Sequence, residues 1–301
     1  MRNDNFKGVS PSQLDAAACR LAWHLGYRLG YRPRRVSKSL DLGTGIHVAL
    51  EALYKSGADP VGAFVEWCAA RRAEISPQWE DDVRAMNEIE DLGTAMLAGY
   101  VDHYGDDPGF EVLATEATLT ARIPVPGKNT LSRYTMTARL DGIIRDLDSG
   151  RLFSLEHKTY TRFSAAHFDL DHQFTAQVWL GQQCLGDLGL EGEEIIGVLY
   201  NGLRKAFPTK RATSPLFVRE KIFRTRAQID AFLHRAYNQC RDLSSASVRI
   251  YPQPNPVRCG TCSFRDPCIA YQRGEDMGFI LDNMYTRRAE REAAAAGGEA
   301  Q

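Results

Sequence analysis

Asp141, Glu156 and Lys158 are the residues of this chain whose types and spacing most plainly could do chemistry. Glu156-His157-Lys158 closes an apolar run, Leu152-Phe153-Ser154-Leu155, and Asp141 sits in a second one, Leu140-Asp141-Gly142-Ile143-Ile144. Asp148-Ser149-Gly150 between them is a turn signal. A turn centred on 148–149 makes residues whose numbers add to 297 face each other, and Asp141 and Glu156 are such a pair. The two carboxylates then form a cross-strand pair on one face. Lys158, two residues past Glu156, shares that face. A three-residue loop ending at Gly150 would slip the register by one. Two carboxylates bind a divalent cation, and the lysine remains for an oxyanion or a nucleophile, which suits phosphodiester cleavage. A surface hairpin with an ordinary ion pair is the competing reading, but these strands are too apolar to lie on a surface.

Two further sets of residues could hold metal. His47 in Gly43-Thr44-Gly45-Ile46-His47 lies beside the apolar positions of a helix, where it reads either as a packed core histidine or as a ligand. An imidazole beside carboxylates would make Mn²⁺ as acceptable as Mg²⁺. Cys259, Cys262 and Cys268 put three thiols into ten residues, a metal-site spacing that lacks a fourth ligand. Cys240 is nearest in sequence, with Cys19, Cys68 and Cys184 as rivals. Four thiolates suit either tetrahedral zinc or an iron–sulfur cluster.

The elements that must position these groups read as follows. Ser10 caps a helix with Pro11 first and Gln13 as reciprocal partner, and Leu14, Ala18, Leu21, Leu25 and Leu29 follow at helical spacing. A second helix opens near Gly43 and stops at Gly57, and two more cover 61–73 and 80–104. Strands are expected at 111–123, 134–147 and 151–160, then a helix from about Asp171 to Leu185. A buried strand over 195–203, an edge strand over 216–222 and a helix capped by Thr225 come next. A loop rich in proline and cysteine covers 251–268, and a last helix lies near 275–291. This order makes an α/β core. The division expected is a helical region 1–108, a core 109–250, a cysteine loop and helix 251–292, and a disordered tail 293–301.

Composition narrows the rest. The chain has 301 residues, 44% hydrophobic and 25% charged, with net charge −1, so nucleic-acid binding must rest on local patches. Arg20, Arg28, Arg32, Arg34, Arg35 and Lys38 form one such segment, and Arg204, Lys205, Lys210 and Arg211 another. Tyr27, Tyr31, Tyr200 and Phe207 interleave with them as platforms for bases. Neither a signal peptide nor an apolar run long enough for a membrane is evident, so a cytoplasmic protein with reduced thiols is expected. A Walker A loop is also missing, so any unwinding would come from another chain.

Taken together, these motifs resemble the RecB-like branch of the PD-(D/E)xK nucleases, in particular the small phage and CRISPR-associated exonucleases that carry a four-cysteine iron–sulfur cluster. The resemblance spans Ser10 to about Cys268. Ser10-Pro11-Ser12-Gln13-Leu14 with Cys19 resembles the family's opening helix, whose cysteine is the distant cluster ligand. Gly43 to His47 resembles its Gly-x-x-x-His motif, whose histidine binds metal. Leu140-Asp141-Gly142 and Glu156-His157-Lys158 match the Asp and (Asp/Glu)-x-Lys motifs, and Cys259, Cys262 and Cys268 match the C-terminal trio. Asp171-His172-Gln173-Phe174-Thr175 matches the helix whose glutamine lies near the scissile phosphate. One position departs: the usual Gln-x-x-x-Tyr is Gln173-x-x-x-Gln177.

The resemblance implies a restriction-endonuclease-like core, a central mixed sheet flanked by helices, with an N-terminal helical layer and a C-terminal cysteine-cluster loop. It implies a Mg²⁺- or Mn²⁺-dependent DNA exonuclease working on single strands or duplex ends, in recombination, repair or phage and CRISPR DNA processing. Asp141, Glu156, Lys158 and Gln173 would be catalytic. His47, Asp141, Glu156 and the carbonyl of His157 would bind the metal, and Cys19, Cys259, Cys262 and Cys268 a [4Fe-4S] cluster in preference to Zn²⁺. Partners would be DNA and a helicase or another recombination or CRISPR protein, with no membrane. A non-catalytic DNA-binding or assembly protein on the same fold, or a zinc-binding protein, is the alternative.

Overall fold

The computed structural model describes residues 6, 8–76, 78–105, 109–208 and 215–288. Lys210, Arg211 and the expected tail lie outside the described residues. In chain order the elements are β1 (Gly8–Val9), α1 (Pro11–Ala16), α2 (Arg20–Trp23), β2 (Tyr31–Pro33), α3 (Lys38–Ser56), α4 (Pro60–Ala73) and α5 (Glu80–Tyr104). Then follow β3 (Phe110–Pro124), β4 (Leu131–Asp146), β5 (Leu152–Tyr160), α6 (His172–Cys184), β6 (Ile195–Arg204), β7 (Phe217–Phe223) and α7 (Arg226–Leu243). The last are α8 (Pro256–Gly260), α9 (Arg265–Arg273), α10 (Met277–Met284) and β8 (Tyr285–Arg287). The chain divides into two compact units, residues 36–235 and residues 1–35 with 236–301, the boundary falling within α7.

The larger unit is mixed α/β. Its strands run in the order β3-β4-β5-β6-β7, with β5 and β6 parallel and the other neighbours antiparallel. The central strand β5 is buried along almost all its length, because it has a neighbour on each edge and helices on each face. Tyr54 of α3 packs with Phe153 and Leu155 on one face, whereas α6 reaches Glu156 and Lys158 on the other. Helices α3, α4 and α5 bury Leu42, Ile46, Leu50, Phe64, Met86 and Leu97 in a shared apolar cluster. Gly45 permits this packing, since a Cβ there would lie 2.5 Å from the Phe64 ring and 2.6 Å from that of Trp67. The second helix therefore opens at Lys38, not at Gly43, and ends on left-handed Gly57 as expected.

The smaller unit holds an apolar cluster of its own, built from Leu21, Leu25, Tyr31, Phe264, Leu281 and Tyr285. Three sequence expectations fail in it. The first helix is not continuous: α1 ends at Ala16, Cys19 adopts an extended ψ of 108°, and α2 restarts at Arg20 before a turn of π-helix at His24–Arg28. The last helix stops at Met284, because Tyr285–Arg287 pairs with Tyr31–Pro33 as a small antiparallel ribbon. The cysteine-bearing stretch expected as a loop carries α8 and the start of α9. Among the described residues, no helix is long and apolar enough to cross a membrane.

Candidate active site

The hairpin takes the register that brings the carboxylates together. Gly142 pairs with Leu155, Ile143 with Ser154, Ile144 with Phe153 and Arg145 with Leu152. A four-residue loop closes it, with Gly150 left-handed at φ 68° and Gly150 N–H donating to Asp146 O at 2.8 Å. Asp141 and Glu156 lie one step beyond the last of these pairs. There the side chain of Asp141 takes over from the ladder: its Oδ2 accepts the His157 backbone N–H at 2.7 Å. Its Oδ1 meets His47 Nδ1 of α3 at 3.1 Å. Burial pushes the Asp141 carboxyl up, but these hydrogen bonds and the two histidines outweigh it and hold the group below the usual carboxylate range. Burial likewise works to lower the His47 pKa, and the hydrogen bond and charge of Asp141 reverse it, so the ring titrates above its ordinary value.

Glu156 is held by more groups than its motif suggests. Its side chain is 2% exposed, and that of Lys158 is 35% exposed. Lys158 Nζ contacts Glu156 Oε1 and donates to Gln173 Oε1 at 3.0 Å. Gln173 Nε2 donates to the same Glu156 Oε1 at 2.7 Å, so Gln173 bridges carboxylate and ammonium. Gln177, one turn further along α6, donates through Nε2 to Glu156 Oε2. Burial raises the Glu156 pKa, and Lys158 only partly offsets it. Lys158 itself is lowered by burial but raised on balance by Glu156, which keeps the ammonium charged. The start of α6 is fixed from two sides. Asp171 caps the Gln173 and Phe174 N–H groups, and buried Arg224 donates to Thr175 Oγ1 at 2.8 Å and to Asp171 O at 3.3 Å.

His157 is anchored by its ring. The imidazole is buried, stacks on Tyr54 with centroids 5.6 Å apart, and places Nδ1 2.8 Å from Asn201 Nδ2. Strand register sets this row: His157 faces Asn201 across β5–β6, and Asn201 faces Arg219 across β6–β7. Arg219 donates to Asn201 Oδ1 at 3.3 Å, which turns the Asn201 amide NH₂ toward His157 and toward Tyr100 OH. Burial depresses the His157 pKa to about 3, so the ring is neutral and accepts at Nδ1. The ring is thus committed to the protein interior, and its peptide N–H bonds Asp141.

The four cysteines expected to act together, Cys19, Cys259, Cys262 and Cys268, line one cavity of about 260 Å³ in the smaller unit. Each sulfur accepts an N–H hydrogen bond: Gln253 N to Cys19 and Phe264 N to Cys262 at 3.4 Å, Asn255 N to Cys259 at 3.3 Å, and Gln272 Nε2 to Cys268 at 3.4 Å. The break in the helix at Cys19 turns its thiol to this cavity. Cys240, the rival nearest in sequence, is fully buried elsewhere, and burial pushes its thiol up to about 12. Among the described residues no three His, Cys, Asp or Glu side chains converge closely enough to form a ready-made shell for a single ion.

Several functional groups escaped the sequence reading. Asn201 and Arg219 carry no motif and become partners only through the strand register. Gln177, where the motif departs from its usual Tyr, is buried against Glu156. Two of the expected base platforms are also inside: Tyr31 packs on Tyr285 and Tyr200 on Phe168. Phe207 alone of the four is exposed, and Tyr27 is half-buried under the Arg32 guanidinium.

A family model described as the PD-(D/E)XK nuclease superfamily matches residues 8–269, and the chain belongs to that superfamily. The family implies a nuclease, a hydrolase with DNA as substrate, and its members usually use Mg²⁺ or Mn²⁺. No curated protein matches the chain. A solved structure described as "Crystal structure of SSO0001" is 15% identical over 88% of this chain and 86% of that one, with a TM-score of 0.37, too loose a likeness to argue from.

Proposed function

We propose that this protein is a metal-dependent DNA exonuclease that hydrolyses phosphodiester bonds on single strands or at DNA ends. The observation that carries the reading is the meeting of Asp141, Glu156, Lys158, Gln173 and His47, drawn from two strands and two helices, at one end of β5.

The donor set fits a hard divalent cation. An ionised carboxylate has about four lone-pair sites. Asp141 spends two on His47 and His157 N–H, and Glu156 spends three on Gln173, Lys158 and Gln177. Both keep capacity for a metal, and His47 and the carbonyl of His157 would complete the shell. A bound Mg²⁺ or Mn²⁺ supplies charge neutralisation and a more acidic water. The protein's own groups do the rest. Lys158 carries a positive charge against the buried Glu156 and is exposed enough to meet a phosphate oxygen or orient the nucleophile. Gln173 fixes the distance between that ammonium and the carboxylate. His157, locked by Tyr54 and Asn201, holds its peptide N–H on Asp141.

We infer also that Cys19, Cys259, Cys262 and Cys268 hold a [4Fe-4S] cluster rather than zinc. The four thiols line one cavity of about 260 Å³, which has room for a cluster, and the resemblance favours the cluster over zinc. Four N–H···S hydrogen bonds suit thiolates. On this reading the cluster ties the first helical turns to the C-terminal segment. A cytoplasmic setting and a helicase or another recombination or CRISPR protein as partner complete the proposal.

The direct test compares an end-labelled linear single strand with a covalently closed circle of the same sequence, each with Mg²⁺ or Mn²⁺. An exonuclease degrades the linear strand and spares the circle. Equal attack on both would make it an endonuclease, and attack on neither would remove the catalytic reading.

A further inference from the structure

The hairpin of β3 and β4 has a charge pattern unlike the rest of the chain. Pairing of β4 with β5 ends at Gly142 and Leu155, whereas β3 and β4 stay paired out to Pro124 and Leu131. The outer part is therefore an arm that continues past Asp141. The 24 residues from Ala117 to Leu140 hold Arg122, Lys128, Arg133 and Arg139 and no Asp or Glu. In a protein of net charge −1 this is a local cationic excess. Register sorts the arm into two faces. Leu119, Ile123, Tyr134, Met136 and Leu140 are buried. The alternate positions form directly opposed pairs, Thr118 with Arg139, Thr120 with Thr137 and Arg122 with Thr135. Thr118, Thr120, Arg122 and Arg139 are exposed, and so is Arg133, two residues along β4 from Thr135. The outer face thus presents hydroxyls and guanidinium groups without an aromatic ring.

Arg139 joins this face to the active site. Its guanidinium contacts Glu116 and reaches Glu51 Oε2 at 3.5 Å, and Glu51 lies one turn along α3 from His47, the partner of Asp141. Arg122 donates through Nε to Ser132 O at 2.8 Å, and among the described residues no carboxylate pairs with it or with Lys128 at the exposed turn that ends the arm. Arg, Lys and Thr are donors to phosphate oxygens, and such contacts position nucleic acid without reading its sequence. The outward pairs recur about every 6.6–6.8 Å along strands about 4.8 Å apart, a row narrow enough to follow one backbone. We propose that the outer face of the β3–β4 arm is a track for the phosphate backbone of one DNA strand, leading it to Asp141 and Glu156 without base preference. The track presupposes the nuclease reading given above and names where its substrate runs.

The test is fluorescence anisotropy of a labelled single strand of about 16 nucleotides, titrated with the full chain over a range of salt. EDTA is present, so nothing is cleaved. Each phosphate contact adds about 0.7 to the slope of log affinity against log salt for a single strand. Arg122→Gln/Arg133→Gln should therefore lose about 1.4 of slope, or about 25-fold in affinity at about 0.1 M salt if the two proteins converge near 1 M. The loss should be the same for two strands of unrelated sequence. Lys128→Gln serves as the second variant if the double variant fails to fold, with a slope loss of about 0.7. An unchanged slope in a folded variant overturns the track, and so does wild-type protein that cleaves the strand with Mg²⁺ but does not bind it in EDTA. The nuclease reading survives both results. Wild-type protein that binds with the expected slope yet cleaves with neither Mg²⁺ nor Mn²⁺ overturns the nuclease reading and leaves the arm as a DNA-binding face. Protein that neither binds nor cleaves overturns both.

Discussion

Replacing Lys158 by alanine removes the ammonium that contacts Glu156 Oε1 and donates to Gln173. Two separable losses should follow. Losing a charge aimed at the developing negative charge costs on the order of 10²–10³ in rate, or about 2.7–4 kcal/mol. The stability cost is set by how buried the pair is. Breaking a fully buried ion pair costs roughly 3–5 kcal/mol, and an exposed pair contributes about 0–1 kcal/mol. Glu156 is buried, Lys158 is about a third exposed, and Glu156 keeps its donors from Gln173 and Gln177. The cost should therefore fall between the limits, about 1–2 kcal/mol, or about 2–8 °C in melting temperature for a unit of this size. Cleavage of a labelled single strand with saturating Mg²⁺ measures the first loss, and thermal melting without metal measures the second. Lys158→Arg should recover most of the stability but little of the rate, because the planar guanidinium cannot occupy the point position of the ammonium. A stable Lys158→Ala protein that cleaves within threefold of wild type would refute the role given to this residue.

Other outcomes follow from the same geometry. Cys19→Ser should lose iron and melt lower, by up to about 5 kcal/mol if the cluster acts as a cross-link closing so long a loop, whereas Cys240→Ser should keep its iron; iron analysis of both proteins decides it. His157 has a folded-state pKa near 3, below its unfolded value, so the unfolded chain binds the extra proton. The stability this lends is complete above about pH 6.5 and is lost as pH falls toward 3, roughly 5 kcal/mol at most. His157→Gln should accordingly flatten the acid side of the melting profile, and an unaltered profile would count against the neutral buried ring. Gly45→Ala should lower the melting temperature and the Mn²⁺ affinity together, because the added methyl must push α3, and His47 with it, away from Phe64 and Trp67.

Most of the hairpin that carries Asp141 and Glu156 could be read in advance because its determinants are local. The apolar runs, the Asp148-Ser149-Gly150 turn and the period of two along a strand together specify which residues face each other. The four-residue loop observed keeps the expected symmetry about 148–149. The residues that support it were hidden for the opposite reason. Asn201 and Arg219 become neighbours of His157 only once β6 and β7 are laid beside β5, and nothing local to them marks that. Gln177 showed in the sequence only as a departure from the usual Tyr, and it is the period of α6 that sends its side chain to Glu156. Helical periodicity likewise ran straight through Cys19. The apolar spacing from Leu14 to Leu25 survives the break, since α2 and the π-helical turn bury Leu21 and Leu25 in the same unit as α1, whereas Leu29 is exposed.

The central claim is that Asp141 and Glu156 jointly hold the ion on which cleavage depends. Mn²⁺ titration of the wild type, Asp141→Asn and Glu156→Gln proteins, each checked for an unchanged fold, tests it most directly. Each amide keeps the shape of its carboxylate and removes the charge, so the account predicts that both variants lose Mn²⁺ affinity and DNA cleavage together. Undiminished Mn²⁺ affinity in both folded variants would put the metal elsewhere and contradict the account.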